Sequence, residues 1–395
     1  MPPHPGPRVV IIGGGVIGSA IASFTLGDAA FRGTVTVVER DPTYARASSA
    51  LSASSIRQQF STAINIEIGR AAIEFLRRAE DALMVDGVRP GLGLVEPGYL
   101  FLATAAGVPS LERNHELQRA HGVDVALCDG DGLRARFPWL ATRDLALGSL
   151  GLSGEGWFDG WSLMQGFRRH ARSRGARYVT AEACGFDADG PRLIALRLAD
   201  GSRLAGDVFV DAAGPWAASV ARWAGIELPV RARRRCVFVF DCATPLPHCP
   251  LVIDPSGMWF RPEGERRFLC GISPPADDDP DDAPLDVDTA LFDDVLWPAL
   301  AARVPAFEAI RQTHAWAGYY EVNTVDHNGI VGAAPGGVNL LFANGFSGHG
   351  MQQSPAVGRG VAELIVHGGF RTLDLAPLGF DRFARDAPLV ELNVV

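Results

Sequence analysis

Gly13, Gly15 and Gly18 stand in the spacing Gly-x-Gly-x-x-Gly, directly after the β-branched run Val9 to Ile12 and directly before an alanine-rich, helix-compatible segment. The chemistry that needs this spacing is diphosphate binding. The first glycine permits a tight turn, the second lets backbone approach the phosphates, the third lets helix and strand pack closely, and the helix N-terminus attracts negative charge. Val16 and Ile17 open that helix. A second apolar strand, Val35 to Val38, ends on Glu39 with Arg40 beside it. This is about twenty residues beyond the glycines, where a carboxylate accepts hydrogen bonds from ribose hydroxyls. An acid there favours a free 2′-OH over a 2′-phosphate. A glycine-rich turn of an unspecialised α/β protein leaves Glu39 unexplained, so the ordered set predicts a dinucleotide site.

Three further stretches are built to lie against a ligand. Residues 47–55 are nearly all small, with Ser48, Ser49, Ser52, Ala53, Ser54 and Ser55 among them, and run into Ile56-Arg57-Gln58-Gln59-Phe60. Tiny side chains let backbone approach a flat or extended molecule and hydroxyls bond to it, the alternative being a flexible loop. The apolar run 207–211 leads into Ala212-Ala213-Gly214-Pro215-Trp216, a turn that brings a second backbone segment to the same ligand. Late in the chain a strand at 313–322, a turn at 326–332 and a buried strand at 338–343 lead into Asn344-Gly345-Phe346-Ser347-Gly348-His349-Gly350-Met351 and a helix. This glycine-rich turn returns another positive helix end to the site.

The elements that position these residues suit two domains, one interrupted by the other, because 395 residues exceed one simple core. A helix is expected over 64–83 and another over 285–303, with a strand at 178–186 and a hairpin formed by 192–198 and 203–210. At 47% hydrophobic and 21% charged, with no apolar run long enough to span a bilayer, the chain reads as a soluble globular enzyme. Net charge of -9 argues against nucleic acid and anionic membranes, leaving small molecules as partners. The first residues carry no basic region and no signal-type core, so a cytoplasmic protein is expected. Six cysteines without metal spacing read as reduced thiols, and no metal site is expected. The run Asp277 to Asp282 reads as a solvated loop. All 36 basic residues are arginine, which excludes lysine-based catalysis.

Taken together, Gly13-x-Gly15-x-x-Gly18, Glu39, the serine stretch with Arg57, Asp211 to Trp216, Tyr319-Tyr320-Glu321 and Gly345 to Gly350 resemble the D-amino-acid oxidase-like FAD family. That family includes sarcosine oxidases, glycine oxidase and dimethylglycine dehydrogenase. The resemblance covers the whole chain and is strongest to the FAD-dependent oxidoreductase domain protein branch, which shares the Ile-Arg-Gln-Gln-Phe and Gly-Phe-Ser-Gly-His-Gly wording. It implies an α/β fold: a Rossmann-type FAD-binding domain (1–85, 150–224 and 318–395) interleaved with an α+β substrate domain (86–149 and 225–317) on a mainly antiparallel sheet.

The resemblance also implies roles. Gly13, Gly15 and Gly18 hold the FAD pyrophosphate, Glu39 the adenosine ribose, and Ser48, Ser49 and Ser52 to Ser55 the ribityl chain and ring. Ala183 or Cys184 lies near the adenine, with Ala213, Gly214 and Trp216 at the adenosine end. Gly345, Ser347, Gly348, His349, Gly350, Met351 and Gln352 face the pyrimidine side of the flavin. His349 serves shape or chemistry. The FAD is expected to be held without a covalent link, because Ala317-Gly318 stands where relatives carry a flavin-bonding cysteine, and residues 40–60 contain no histidine.

The implied activity is oxidation of the C–N bond of an amino acid or N-substituted amino acid by hydride transfer to flavin N5, giving an imine that hydrolyses. Tyr320 or Glu321 assists the proton and Tyr320 closes the pocket. Arg57 clamps the substrate carboxylate, or else braces a backbone carbonyl or a neighbouring acid. Arg261 is the next candidate, and Gln352 replaces the lysine of relatives. Oxygen or an electron-transfer partner takes the electrons. The alternatives are a flavin-binding subunit of a larger dehydrogenase and a low-turnover assembly factor.

Overall fold

The computed structural model describes residues 6–394; residues 1–5, read above as carrying no export address, lie outside them. A six-stranded sheet forms one layer, in the order Ile330–Ala333, Leu340–Asn344, Val208–Asp211, Arg8–Ile12, Thr34–Glu39 and Arg177–Thr180. All pairs are parallel except the first. The central strands Arg8–Ile12 and Val208–Asp211 are runs of valine, isoleucine and phenylalanine because both faces are covered there, as parallel sheets require. The helices Val16–Gly27, Gly160–Ser173 and Gly350–His367 supply much of one cover, packing Ala20, Ile21, Phe167, Val357 and Val361 into a common core with Ile11 and Val37. A three-stranded antiparallel sheet of Ala183–Asp189, Arg192–Leu198 and Arg203–Ala205 covers part of the other face through Phe186, Leu196 and Phe209.

The second layer is an eight-stranded sheet with seven consecutive neighbour pairs, all antiparallel except Leu251–Ile253 beside Tyr99–Ala103. Its longest strands, Val230–Cys242 and Ile310–Asn323, pair over nearly their whole length. Phe238, Phe240, Phe260, Phe268 and Phe307 form an aromatic core behind it. The expected domain limits at 149/150 and 317/318 fall inside the strands Leu147–Gly151 and Ile310–Asn323. Among the described residues, no helix is long and apolar enough to cross a membrane.

Four local expectations are corrected. The run 64–83 is two helices, Ala63–Leu76 and Ala79–Ala82. The run 285–303 is helical only from Ala290, and a π turn over Phe292–Leu296 gives way to Trp297–Arg303 with Pro298 in its first turn. The run 203–210 divides between two sheets, because Arg8 draws Asp207 to the parallel sheet through 2.8 and 2.9 Å bonds. The expected turn at 326–332 contains the start of the strand Ile330–Ala333.

Candidate active site

The phosphate seat forms where the strand Arg8–Ile12 meets the helix Val16–Gly27. Gly13 has φ +100°, and a Cβ there would lie 2.3 Å from the Ala212 carbonyl oxygen; a Cβ on Gly18 would lie 2.0 Å from the Gly13 oxygen. Any side chain would therefore push apart the strand, its neighbour or the helix. Gly15 is the N-cap and makes no side-chain cap bond, leaving first-turn N–H groups directed at the cleft. Among the described residues only Val16 is answered there, donating its N–H to Ser49 Oγ at 3.0 Å. Glu39 stabilises this turn from the next strand: Oε2 accepts from Gly14 N and Oε1 from Asp41 N, each at 2.9 Å. Each oxygen retains acceptor capacity for a hydroxyl.

A cleft of about 370 Å³ opens from this seat. Its walls include Gly13, Gly15, Val16, Ile17, Glu39, Arg40, Ser48, Ser49, Ser52 and Ala53 from the first third of the chain. Ala183, Ala213, Gly214, Trp216, Tyr320, Glu321, Gly348, Gly350 and Met351 come from the rest. At one end the Arg40 guanidinium lies 3.7 Å above the Trp216 ring, with Arg46 at 5.9 Å, a cation–aromatic stack. Ser48 Oγ is buried without a partner among the described residues, an orphan that a ligand hydroxyl or phosphate oxygen would satisfy. The late glycine turn forms the opposite wall. Gly348 has φ +90°, and a Cβ there would meet the Tyr320 ring at 2.4 Å, so turn and ring are in direct contact. The helix Gly350–His367 starts here with no side-chain cap. Two uncapped helix ends, an orphaned hydroxyl and a glycine cradle fit a diphosphate-bearing cofactor.

Two acids, Glu321 in the cleft wall and Asp211 behind it, are both shifted by burial towards the protonated form. Burial pushes Glu321 up to about 8, although its carboxyl accepts backbone N–H bonds, one of them from Gly345 at 3.1 Å. Burial raises Asp211 well above the carboxylate range, and the nearby Glu321 adds to the shift. Acids shifted in this direction put less negative charge beside a cleft that must take a diphosphate.

Other expected site residues stand outside the cleft lining. Arg57 is 1% exposed and forms a structural hub. Its guanidinium donates to the Gln59 carbonyl at 3.4 Å, to His349 Nε2 at 2.7 Å and to the Asn393 carbonyl, while its own N–H donates to Gln352 Oε1 at 2.9 Å. Arg57 thus braces backbone carbonyls, the second of the two roles expected of it, with three of its guanidinium bonds made inside the fold. His349 stacks edge-on against Phe60, and burial together with the Arg57 charge lowers its pKa to about 3, so it is a neutral acceptor. Glu391 anchors the same hub, accepting from Ser61, Thr62, Asn65 and Asn393. Arg261 donates to the Ala53 carbonyl at 2.8 Å and pairs with Glu263, so it too is internal. Gly18, Ser54, Ser55, Cys184, Gly345 and Ser347 support the lining without joining it.

The cleft also contains residues the sequence reading passed over: Tyr44, Leu51, Val237, Trp259, Ile272 and Arg235. Arg231, Arg233 and Arg235 alternate on one face of the strand Val230–Cys242, a period-two pattern that was available as a signal. They hold the acidic run. Arg235 makes two 2.8 Å bonds to Asp279, Arg233 lies 2.9 Å from Asp281, and Arg231 lies 3.5 Å from Asp281. The solvated loop expected at 277–282 is therefore docked at these two positions, because three like charges in a row need counterions.

The family described as DAO, FAD dependent oxidoreductase, matches residues 8–364. FAD-dependent oxidoreductase domain-containing protein 1 of Xenopus laevis is 43% identical over 421 aligned residues, covering 98% of this chain and 84% of that protein. Glycine oxidase of Geobacillus kaustophilus is 30% identical, covering 95% of this chain and 96% of that protein. Among solved structures, L-proline dehydrogenase from P. horikoshii superposes with a TM-score of 0.85 at 24% identity, covering 97% of this chain and 99% of that one.

Proposed function

This chain belongs to the DAO family of FAD-dependent oxidoreductases, and from that premise we propose that it oxidises the C–N bond of an amino acid or N-substituted amino acid. FAD supplies the acceptor for the hydride that leaves the substrate carbon, and the imine so formed hydrolyses in water. Gly13, Gly15 and the helix end at Val16 hold the diphosphate, Glu39 the ribose, and Arg40 on Trp216 closes the adenosine end. Gly348, Gly350 and Met351 present the second helix end. The FAD is held without a covalent bond, with Ala317-Gly318 at the position where a thiol would attach it.

The observation that carries this reading is the continuity of one cleft. Its lining runs from the phosphate seat at Gly13 to a chamber walled by Tyr320, Trp259, Val237, Ile272 and Arg235. Apolar walls exclude water from the reacting carbon, and the desolvation this imposes favours an uncharged amine over an ammonium. Glu321 is the group in that cleft that moves a proton: a carboxyl near 8 takes the substrate ammonium proton in mildly alkaline solution. An anaerobic panel of glycine, sarcosine, iminodiacetate, proline and D-amino acids tests the reading through bleaching of bound FAD. At least one should bleach it, and admission of air then tells whether oxygen accepts the electrons. If dithionite reduces the FAD but no amine does, the reading fails.

A further inference from the structure

Three arginines line the cleft, and two of them, Arg40 and Arg46, are gathered on Trp216. The third, Arg235, stands in the other chamber, with its guanidinium 5.4 Å from the Tyr320 ring centroid. Its strand partner is Gly318, which also lines the cleft and packs so closely on Leu51 that a Cβ there would lie 2.9 Å from the Leu51 Cβ. Arg57 and Arg261, the other cations considered for an acidic substrate, have donors turned to internal carbonyls. Arg235 differs. Apart from a 2.8 Å bond to the Arg234 carbonyl, the hydrogen bonds of its fork go to one side chain, the carboxylate of Asp279, which a ligand carboxylate can replace.

We propose that Arg235 is the cation that receives the substrate's carboxylate, and that Asp279 is a resident counterion which the incoming acid displaces. This rests on the amino-acid reading of the cleft given above. The geometry of the resting pair is already that of arginine with a bidentate carboxylate, two parallel 2.8 Å bonds. A ligand carboxylate reproduces those bonds, so the exchange conserves charge and hydrogen bonds at Arg235. Asp279 released from Arg235 still has Arg233 at 3.8 Å, and Asp281 remains held by Arg233 and Arg231. The acidic loop therefore yields at one position while staying docked at the next. The substrate class that follows is a small amine bearing one carboxylate, with the amine and carboxylate close enough together to lie within one chamber.

The test uses FAD-loaded protein and methoxyacetate, a carboxylate that cannot be oxidised at nitrogen, titrated against the visible spectrum of bound FAD, with methoxyacetamide as the uncharged control. Arg235→Gln should weaken methoxyacetate binding by ~10- to 100-fold and leave methoxyacetamide unchanged. Asp279→Asn, which removes the competitor, should tighten methoxyacetate binding severalfold. This second variant keeps the proposal open to refutation if Arg235→Gln loses FAD. Equal affinity for methoxyacetate in wild type and Arg235→Gln, no tightening in Asp279→Asn, or no binding to wild type would each overturn it. Arg235-dependent methoxyacetate binding with no amine able to bleach the FAD would instead remove the amine-oxidation reading and keep this site.

Discussion

Arg57 and Arg235 are the same residue type on the same chain, and the structure gives them opposite tasks. Arg57 sits in a closed hub where every neighbour is fixed: a main-chain carbonyl on either side, a neutral imidazole and a glutamine on the late helix. Arg235 sits at the wall of an open cleft, and its main partner belongs to a loop. Closure makes the first arginine an architectural part, since three separate segments depend on it. Openness makes the second an exchangeable one. The difference lies in what surrounds the guanidinium rather than in sequence wording, because the conspicuous phrase is the one around Arg57.

Arg57→Ala should give the largest effect. It leaves two carbonyls and His349 without a donor in a buried site, and each such loss costs about 1 to 3 kcal/mol. A fall of about 3 kcal/mol or more in unfolding free energy is expected from urea titration, with FAD lost in parallel. Arg57→Lys should recover only part of it, because an ammonium cannot span the same partners as a planar fork. Unchanged stability with weakened carboxylate binding would reverse the roles assigned to the two arginines.

Glu321 sharpens the contrast from the cleft side. Its folded pKa of about 8 lies above the unfolded value, so the folded state holds the extra proton between them. Its contribution is fully present below the unfolded pKa and is lost as pH rises towards 8. The slope is up to about 1.4 kcal/mol per pH unit. Glu321→Gln should flatten this dependence in the apoprotein, measured as unfolding free energy between pH 5 and 9; an unaltered slope would mean that the carboxyl is solvated.

Arg235→Gln should cost about 2 kcal/mol in stability, below the roughly 3–5 kcal/mol typical of breaking a buried pair, since Arg233 stays within 3.8 Å of the abandoned Asp279. A loss as large as that of Arg57→Ala would break the comparison. The smallest effect belongs to His349. With its pKa lowered to about 3, the ring stays neutral across the working range, and NMR titration should find no His349 transition between pH 5 and 8.

The sequence made the phosphate seat legible because glycine spacing, a β-branched strand and Glu39 each carry a local physical demand, and all three meet at one turn. The turn at Gly348 and Gly350 was legible for the same reason, whereas Tyr320 and Glu321 stood out only through the family resemblance. Arg57 misled: the serine stretch before it does reach the cleft, but the two-residue strand Ser55–Ile56 carries the chain away before Arg57. Arg235 and Asp279 were missed because they are 44 residues apart and meet only when the loop folds onto the sheet. The acidic run looked solvated because nothing local revealed the arginine ladder beneath it.

The order in which the six-stranded sheet takes its strands has a consequence for biosynthesis. Arg8–Ile12 pairs with Val208–Asp211, which pairs in turn with Leu340–Asn344, and the hub beneath the late helix is tied by Glu391 and Asn393. A ribosome releases the glycine turn at residue 13 first and the segments that complete its cleft last. The nascent chain therefore exposes a nucleotide-binding turn long before it can retain a flavin. Loading of the cofactor has to follow release of nearly the entire polypeptide, and in a cell short of flavin the apoprotein waiting at that stage is the form most open to proteolysis.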